Sequence, residues 1–345
     1  MKVSICSGGT GGHMFPACAL FEILKERGHS VYMITDTRGD VFCSNIHNKV
    51  IVKTIRISRK KAVHAVVGFV RMFWKFLRMW FRDSPDVIVG FGGMFTVIPI
   101  LVAKCFGSNV IIYEQNSILG KANRLLSYFS DSNASFFDLG NGWKHIPSPV
   151  RDEFIKLKDV PYICDEKVRI IIIGGSQGAR SFSDIIPMAL EKVPLDQRKN
   201  IEIVQQVSNE MRQSLEDRYG KLGVQSTLMS FVHNMAEEMS NSQLVICRSG
   251  ASTLAELSTI GRPAILIPYP GATDNHQAFN AAYYVRKQAA WMVEEKDGII
   301  EKLSSIISEV LVNRELLKLA ASNMINSSMS DSRDSFVKLI ESMCN

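Results

Sequence analysis

The residues with the clearest chemical use lie between Leu244 and Ala282, in LVICRSGASTLAELSTIGRPAILIPYPGATDNHQAFNAA. A short apolar strand, Leu244–Cys247, runs into Arg248-Ser249-Gly250, and a helix opens at about Ala251. Gly250, Ser252 and Thr253 therefore sit at a helix N-terminus, where unpaired N–H groups and the helix dipole favour an anion such as a phosphate. Glu256, one turn further in, is placed to accept two hydrogen bonds from a ribose diol. A second strand over Ala264–Pro268 leads to Asp274-Asn275-His276-Gln277, whose imidazole and amide suit sugar hydroxyls. The stretch reads as a nucleotide-sugar pocket. For Glu256 the plain alternative is an acid favoured by the dipole of the first helical turns.

A second group of candidates stands near the start. Strand Val3–Cys6 runs into Ser7-Gly8-Gly9-Thr10-Gly11-Gly12-His13, then an apolar helix expected over Pro16–Arg27 and a strand over Val31–Thr35. This is a βαβ unit whose glycines let a ligand approach the backbone. A dinucleotide fingerprint fails on spacing, because the third glycine of G-x-G-x-x-G falls on Met14. Asp36, at the end of the second strand, occupies the place of a ribose-binding acid and keeps a nicotinamide-dependent oxidoreductase as an alternative. His13 speaks against it, since that fingerprint has no use for an imidazole.

The third feature is basic. Residues 56–82 hold eight Arg or Lys and no acid, which leaves 32 basic against 34 acidic residues elsewhere in the chain. Arg71, Lys75, Arg78 and Arg82 follow helical spacing on one stripe, among Phe69, Phe73, Trp74, Phe76, Trp80 and Phe81. A basic stripe with an aromatic face is the pattern of a helix lying on an anionic membrane surface. The plain alternative is a sheet-packing helix with a solvated basic edge.

These groups need elements to hold them. At 345 residues the chain exceeds one ordinary core. Strands at Asp86–Val89 and Val110–Tyr113 follow the first unit. The former ends in Gly90-Phe91-Gly92-Gly93-Met94, the latter in Glu114-Gln115-Asn116, and a short strand is expected at Phe136–Asp138. Ile146-Pro147-Ser148-Pro149-Val150 marks a linker. The pattern restarts at strand Val168–Ile173 with Gly174-Gly175-Ser176-Gln177-Gly178, and continues with strands at Ile201–Gln205 and Gln225–Phe231. The expected class is α/β: two Rossmann-like domains, residues 1–150 and 151–323, facing across a cleft.

Composition excludes several classes. No apolar run is long enough to span a bilayer, and no signal-peptide pattern precedes the first strand. Seven cysteines without a Cys-x-x-Cys pair suggest reduced thiols in a cytosol and show no zinc spacing. Neither a cofactor nor a nucleic-acid partner is expected.

Taken together, GGTGGH at Gly8–His13, EQN at Glu114–Asn116, PVR at Pro149–Arg151, GGSQGAR at Gly174–Arg180, CRSGAST with Glu256, and HQ…NA at His276–Ala281 resemble the MurG family. These are the bacterial UDP-N-acetylglucosamine:lipid I N-acetylglucosaminyltransferases. The resemblance covers nearly the whole chain and implies a GT-B fold, with an N-terminal acceptor domain, a C-terminal UDP-GlcNAc domain and a last helix, from about Met324, returning to the first. It implies that Ser176, Gln177, Gly250, Ser252 and Thr253 meet the donor diphosphate, Glu256 the ribose and the Val232 backbone the uracil. Arg248 would line the same pocket, Asn116 and Gln277 would hold the GlcNAc, and Thr10, Gly11, Gly12, His13 and Arg151 would lie in the cleft. The implied reaction is metal-independent, inverting transfer of GlcNAc from UDP to the 4-hydroxyl of MurNAc in lipid I, giving lipid II for peptidoglycan. His13 is the candidate base, imidazole being the side chain most often used for that work. The chain has no Asp-x-Asp for a metal.

The acceptor carries a polyprenyl tail, so the implied site of action is the cytoplasmic face of the bacterial inner membrane. Docking there would use Arg71, Phe73, Trp74, Lys75, Arg78, Trp80 and Arg82. Departures from the family pattern are Met94 in place of a tyrosine, Ile98 in place of a small residue, Gln205-Gln206-Val207-Ser208 where an HQSG-like stretch is usual, and His276 where some members have Gln. A UDP-GlcNAc 2-epimerase on the same twin-domain fold, and a membrane protein that binds nucleotide sugar without turnover, are the remaining alternatives.

Overall fold

The structure is a computed structural model. It describes all residues except 10, 54–61, 165, 175–179, 329–331 and 345, and gives only the backbone for 62–66 and 332. The chain forms two compact units, Met1–Arg151 with Met329–Asn345, and Asp152–Ser328.

In the first unit the strands are β1 (Lys2–Cys6), β2 (Ser30–Asp36), β3 (Lys49–Val52), β4 (Val87–Gly90), β5 (Asn109–Glu114), β6 (Ser132–Ser135) and β7 (Lys144–His145). Among the described residues they form one parallel seven-stranded sheet in the order β3-β2-β1-β4-β5-β6-β7. Its helices are α1 (Gly11–Glu26), α2 (Ala62–Arg82), α3 (Val97–Cys105), α4 (Lys121–Leu126) and, from the end of the chain, a helix at Ser332–Glu341. Val87–Gly90 and most of Asn109–Glu114 are fully buried, as expected where helices cover both faces of a parallel sheet.

The second unit repeats the plan. Its strands β8 (Val168–Ile173), β9 (Ile201–Gln206), β10 (Gln225–Met229), β11 (Leu244–Cys247), β12 (Ala264–Leu266) and β13 (Ala290–Met292) pair in parallel in the order β10-β9-β8-β11-β12-β13. The helices are α5 (Asp152–Ile155), α6 (Phe182–Glu191), α7 (Leu195–Arg198), α8 (Asn209–Lys221), α9 (Met235–Ser240), α10 (Ala251–Ile260), α11 (His276–Arg286), α12 (Ile299–Val312) and α13 (Arg314–Asn326). The final helix, Ser332–Glu341, is α14.

Each sheet reverses its strand order once, between β1 and β4 in the first unit and between β8 and β11 in the second. Such a switch point leaves a crevice at the carboxyl ends of the two strands, where doubly wound sheets bind ligands. Cys6 pairs with Gly90 and Ile173 with Cys247, so both loops that flank each crevice start level.

Three sequence expectations change. Helix α1 begins at Gly11, not Pro16, and carries Pro16 inside it. Pro16 is the sixth residue of α1, beyond the four N–H groups that lack intrahelical partners, so it removes one backbone hydrogen bond from the second turn. The strand expected at Phe136–Asp138 lies instead at Ser132–Ser135, a polar run that is mostly buried through pairing with β5 on one side and β7 on the other. Trp80 belongs to the core. Met72, Phe76 and Trp80 form the inward stripe of α2, with the Trp80 Nε1–H donating to the Pro99 carbonyl at 3.2 Å and its ring against Phe76 and Tyr32.

α14 is fixed to the first unit at several points. Phe336 is fully buried, stacked on Phe91 at 6.1 Å and edge-on to Tyr113 at 4.8 Å. Asp334 pairs with Arg27, and His29 Nε2 lies 3.2 Å from Glu341.

Candidate functional site

In the first unit the glycine loop after β1 is held by Asp36. One oxygen of this buried carboxylate accepts the N–H groups of Gly9 and Gly39, each at 2.9 Å, and the other takes Arg38 Nε at 3.0 Å. Burial pushes the Asp36 carboxyl up, and the two N–H bonds with the Arg38 guanidinium outweigh it, so its pKa lies below the ordinary carboxylate value. The carboxylate positioned by the sequence for a ribose is thus committed to shaping the loop, which removes the main support for the oxidoreductase alternative. Thr10 lies outside the described residues.

His13, in the first turn of α1, is half-buried. Its Nδ1 lies 2.7 Å from Gln115 Oε1, and Ser7 Oγ donates to its carbonyl at 2.9 Å. Gln115 is 1% exposed and donates its Nε2 to the Phe91 carbonyl at 3.2 Å. The adjacent Glu114 organises the next turn. Its Oε1 accepts the backbone and side-chain N–H of Asn116 at 3.0 and 3.1 Å, and its Oε2 accepts from Gly120 N at 3.0 Å and Asn123 Nδ2 at 2.8 Å. Asn116 is thereby held in a fixed orientation beside β5. Gly92 and Gly93 both have φ of +92°, a conformation that glycine adopts without strain. Gly92 lies against Asn123 and the edge of the His13 ring. The Arg151 guanidinium stacks 5.1 Å over Phe15, two residues after His13. His13, Gln115, Asn116, Gly92 and Arg151 thus come from four segments of the first unit.

In the second unit α10 starts behind Gly250 with no side-chain cap and no acid in its first turn, which leaves the positive end of its dipole available. Ser252 and Glu256 are buried beside it. Ser249 Oγ donates to the Gln277 carbonyl at 2.8 Å, and Asn280 Nδ2 donates to the Ser249 carbonyl at 3.2 Å. These two bonds tie the α10 and α11 starts together. Gln277 Oε1 accepts Tyr269 N–H at 2.9 Å, so its NH₂ is the end that can address a ligand. His276 Nδ1 lies 2.8 Å from the Thr273 carbonyl, and Asp274 and Asn275 sit at φ of +52° and +53°.

Arg248 is more constrained than the sequence suggests. Its Nη1 bonds the carbonyls of Ile267 and Pro268 at 3.2 and 3.1 Å and lies 2.6 Å from Glu295. Its Nη2 reaches Ser181 Oγ at 3.2 Å, and its plane lies between the rings of Phe182 and Tyr269. It fastens the ends of β11 and β12 to the start of α6, with its charge balanced by Glu295. The Val232 side chain is buried, which leaves its backbone as the group a base could meet. Ser176 and Gln177 lie outside the described residues.

Sequence reasoning singled out Glu114-Gln115-Asn116 after a parallel strand but gave Gln115 no role, and it passed over Glu295. Both follow the carboxyl end of a parallel strand, the edge where such sheets bind ligands. For Glu295 that strand, β13, is only three residues long.

On α2, Arg71, Lys75, Arg78 and Arg82 are all exposed, and Lys75 Nζ reaches the Ile51 carbonyl at 3.2 Å. Val67, Val70, Trp74 and Phe81 form an exposed apolar stripe beside them, with Phe73 next to it. The basic and apolar stripes therefore share the outward side, and the inward side is the Met72-Phe76-Trp80 row. No described helix is long and apolar enough to cross a membrane.

Residues 3–135 match the Glycosyltransferase family 28 N-terminal domain and residues 169–336 the Glycosyltransferase family 28 C-terminal domain. The chain is 35% identical, over 99% of its own length and 95% of the relative's, to the UDP-N-acetylglucosamine–N-acetylmuramyl-(pentapeptide) pyrophosphoryl-undecaprenol N-acetylglucosamine transferase of Rhizobium meliloti. The chain belongs to the MurG family, within glycosyltransferase family 28. The crystal structure of Acinetobacter baumannii MurG superposes with a TM-score of 0.84 at 26% identity, covering 99% of this chain and 100% of that one. The family has the GT-B fold, and both units of this chain carry its parallel α/β sheets. The UDP-GlcNAc 2-epimerase of Neisseria meningitidis shares that fold alone, with a TM-score of 0.68 at 13% identity over 99% and 100% of the two chains.

Proposed function

We propose that this chain transfers GlcNAc from UDP-GlcNAc to the 4-hydroxyl of MurNAc in lipid I, inverting the anomeric centre and producing lipid II. The observation that carries this reading is the full-length identity to transferases named for that reaction. In the second unit the α10 N-terminus meets the donor diphosphate, Glu256 takes the ribose diol and the Gln277 NH₂ addresses the sugar. Arg248 holds the loops around that helix start. Negative charge that grows on the departing UDP is stabilised by the α10 dipole and N–H groups, an arrangement typically worth about 10²–10³ in rate per donor. In the first unit His13 takes the proton of the acceptor hydroxyl, and Asn116 and Arg151 belong to the same unit.

The same reading gives α2 a task. Lipid I is anchored in the membrane, so the enzyme works at the cytoplasmic face of the inner membrane as a peripheral protein. The paired basic and apolar stripes of α2 lie against the anionic leaflet and its hydrocarbon boundary.

The deciding experiment follows labelled GlcNAc from UDP-GlcNAc onto a short-chain lipid I analogue, with and without chelator. A β-1,4-linked disaccharide product in both arms supports the reading. Epimerised sugar without transfer would replace the transferase reading by an isomerase activity. Transfer that stops with chelator would refute metal-independence.

A further inference from the structure

A histidine that accepts a proton from a hydroxyl needs one ring nitrogen unprotonated and aimed at its partner, and in this chain the hydrogen-bond roles settle which nitrogen that is. The Phe91 carbonyl can only accept, so the buried Gln115 amide turns its Nε2 toward it at 3.2 Å. Gln115 Oε1 is then the end that faces His13, 2.7 Å from Nδ1. An amide oxygen also only accepts, so Nδ1 carries the proton. The carboxylates nearest in sequence are committed elsewhere, Glu114 to Asn116, Gly120 and Asn123 and Asp36 to Gly9, Gly39 and Arg38. An uncharged amide is therefore what faces the imidazole. Phe91, whose carbonyl starts this chain of roles, is itself buried between Tyr113 and Phe336 of α14.

We infer that Gln115 is a positioning residue that fixes His13 as the Nδ1–H tautomer and so keeps Nε2 as the basic nitrogen. The inference rests on the reading of His13 as the base. A free histidine side chain in water favours the opposite tautomer, with Nε2 protonated and useless as a base, so the environment has to impose this one. In the transfer step the acceptor O4–H proton moves to Nε2, the oxygen pair forms the new bond to the GlcNAc anomeric carbon, and the bond from that carbon to the UDP oxygen breaks with its electrons leaving on UDP. The resulting imidazolium still donates Nδ1–H to Gln115, so the ring need not reorient.

Nitrogen-15 NMR of histidine-labelled enzyme, with His13 assigned through His13→Gln, reads the tautomer directly and independently of turnover. The expected wild-type result is a protonated Nδ1 and an unprotonated Nε2. Gln115→Met keeps the side chain's length and removes both hydrogen bonds. It should shift His13 toward Nε2–H and lower kcat about 10- to 100-fold, with KM for UDP-GlcNAc within about twofold. A wild-type His13 that is mainly Nε2–H overturns the inference whatever the variants do. Unchanged kcat in Gln115→Met with His13→Ala strongly slowed overturns the role of Gln115 alone. Unchanged kcat in both removes the base reading and this inference with it. A thermal melt of Gln115→Met identifies any loss that comes from unfolding, and the wild-type spectrum decides the tautomer even then.

Discussion

Neutralising the basic stripe of α2 tests the membrane reading with a magnitude that follows from the structure. Each cation near an anionic leaflet contributes about 1 kcal/mol of attraction. Arg71, Arg78 and Arg82 are exposed and unencumbered by a hydrogen bond to β3, whereas Lys75 reaches the Ile51 carbonyl and burial lowers its pKa. Lys75 therefore gives less than a full share, and changing all four to Gln should cost about 3 kcal/mol. At 1.4 kcal/mol per decade this weakens partitioning about 100-fold. Replacing Val70, Trp74 and Phe81 by Ser removes the apolar stripe instead. Burying the exposed half of such side chains contributes about 1 kcal/mol each, so the loss is of similar size. The two variants separate by salt. Raising ionic strength should erase the difference between the basic-stripe variant and wild type and leave the apolar-stripe defect intact. Sedimentation with vesicles of anionic or neutral composition measures this. Wild-type binding that is equal on both compositions, or a basic-stripe variant that binds anionic vesicles like wild type, would refute the reasoning.

Other outcomes follow from the same contacts. Trp80→Ala should lower stability by about 3–5 kcal/mol in urea melts, because it empties a core site, and an unchanged midpoint would contradict the packing described. His13→Ala should reduce kcat by about 10²–10⁴ in the transfer assay, and a loss of only a few-fold would remove it as the base. Glu256→Gln should raise KM for UDP-GlcNAc about 10- to 100-fold with kcat less affected, since a charged hydrogen-bond acceptor is worth about 1.5–3 kcal/mol; an unchanged KM would return Glu256 to a helix-turn acid. Asp36 has a folded pKa below its unfolded value. Its contribution is therefore complete above about pH 3.9 and is lost as pH falls through the folded pKa. Asp36→Asn should cost about 1–3 kcal/mol at pH 7 and make stability less steep in acid, and parallel pH profiles for variant and wild type would show that the loop is held by something else.

The sequence alone determined the class of fold and the addresses of the loops. Strands such as Val168–Ile173 and Leu244–Cys247 are near-continuous apolar runs, and the glycine turns after them cannot continue a strand, so both are written in local chemistry. The family was legible too, because its motifs are short contiguous runs in a fixed order. Polar strands were not legible. Ser132–Ser135 is a strand because β5 and β7 pair with it on either side, and no residue in it says so. Helix α2 shows the same division. Its sequence gave basic and aromatic residues at helical spacing, but only packing against Tyr32, Pro99 and α3 decided that Trp80 is core while Trp74 and Phe81 face outward. At the site, residue types predicted chemistry and tertiary contacts assigned roles. Asp36 became a loop brace, Arg248 a fastening balanced by Glu295, and Gln115 the partner of His13. The reason is physical. A side chain's charge and hydrogen-bonding capacity belong to the residue, whereas many of the groups that use that capacity lie far apart in sequence, and only the folded chain brings them within hydrogen-bonding reach.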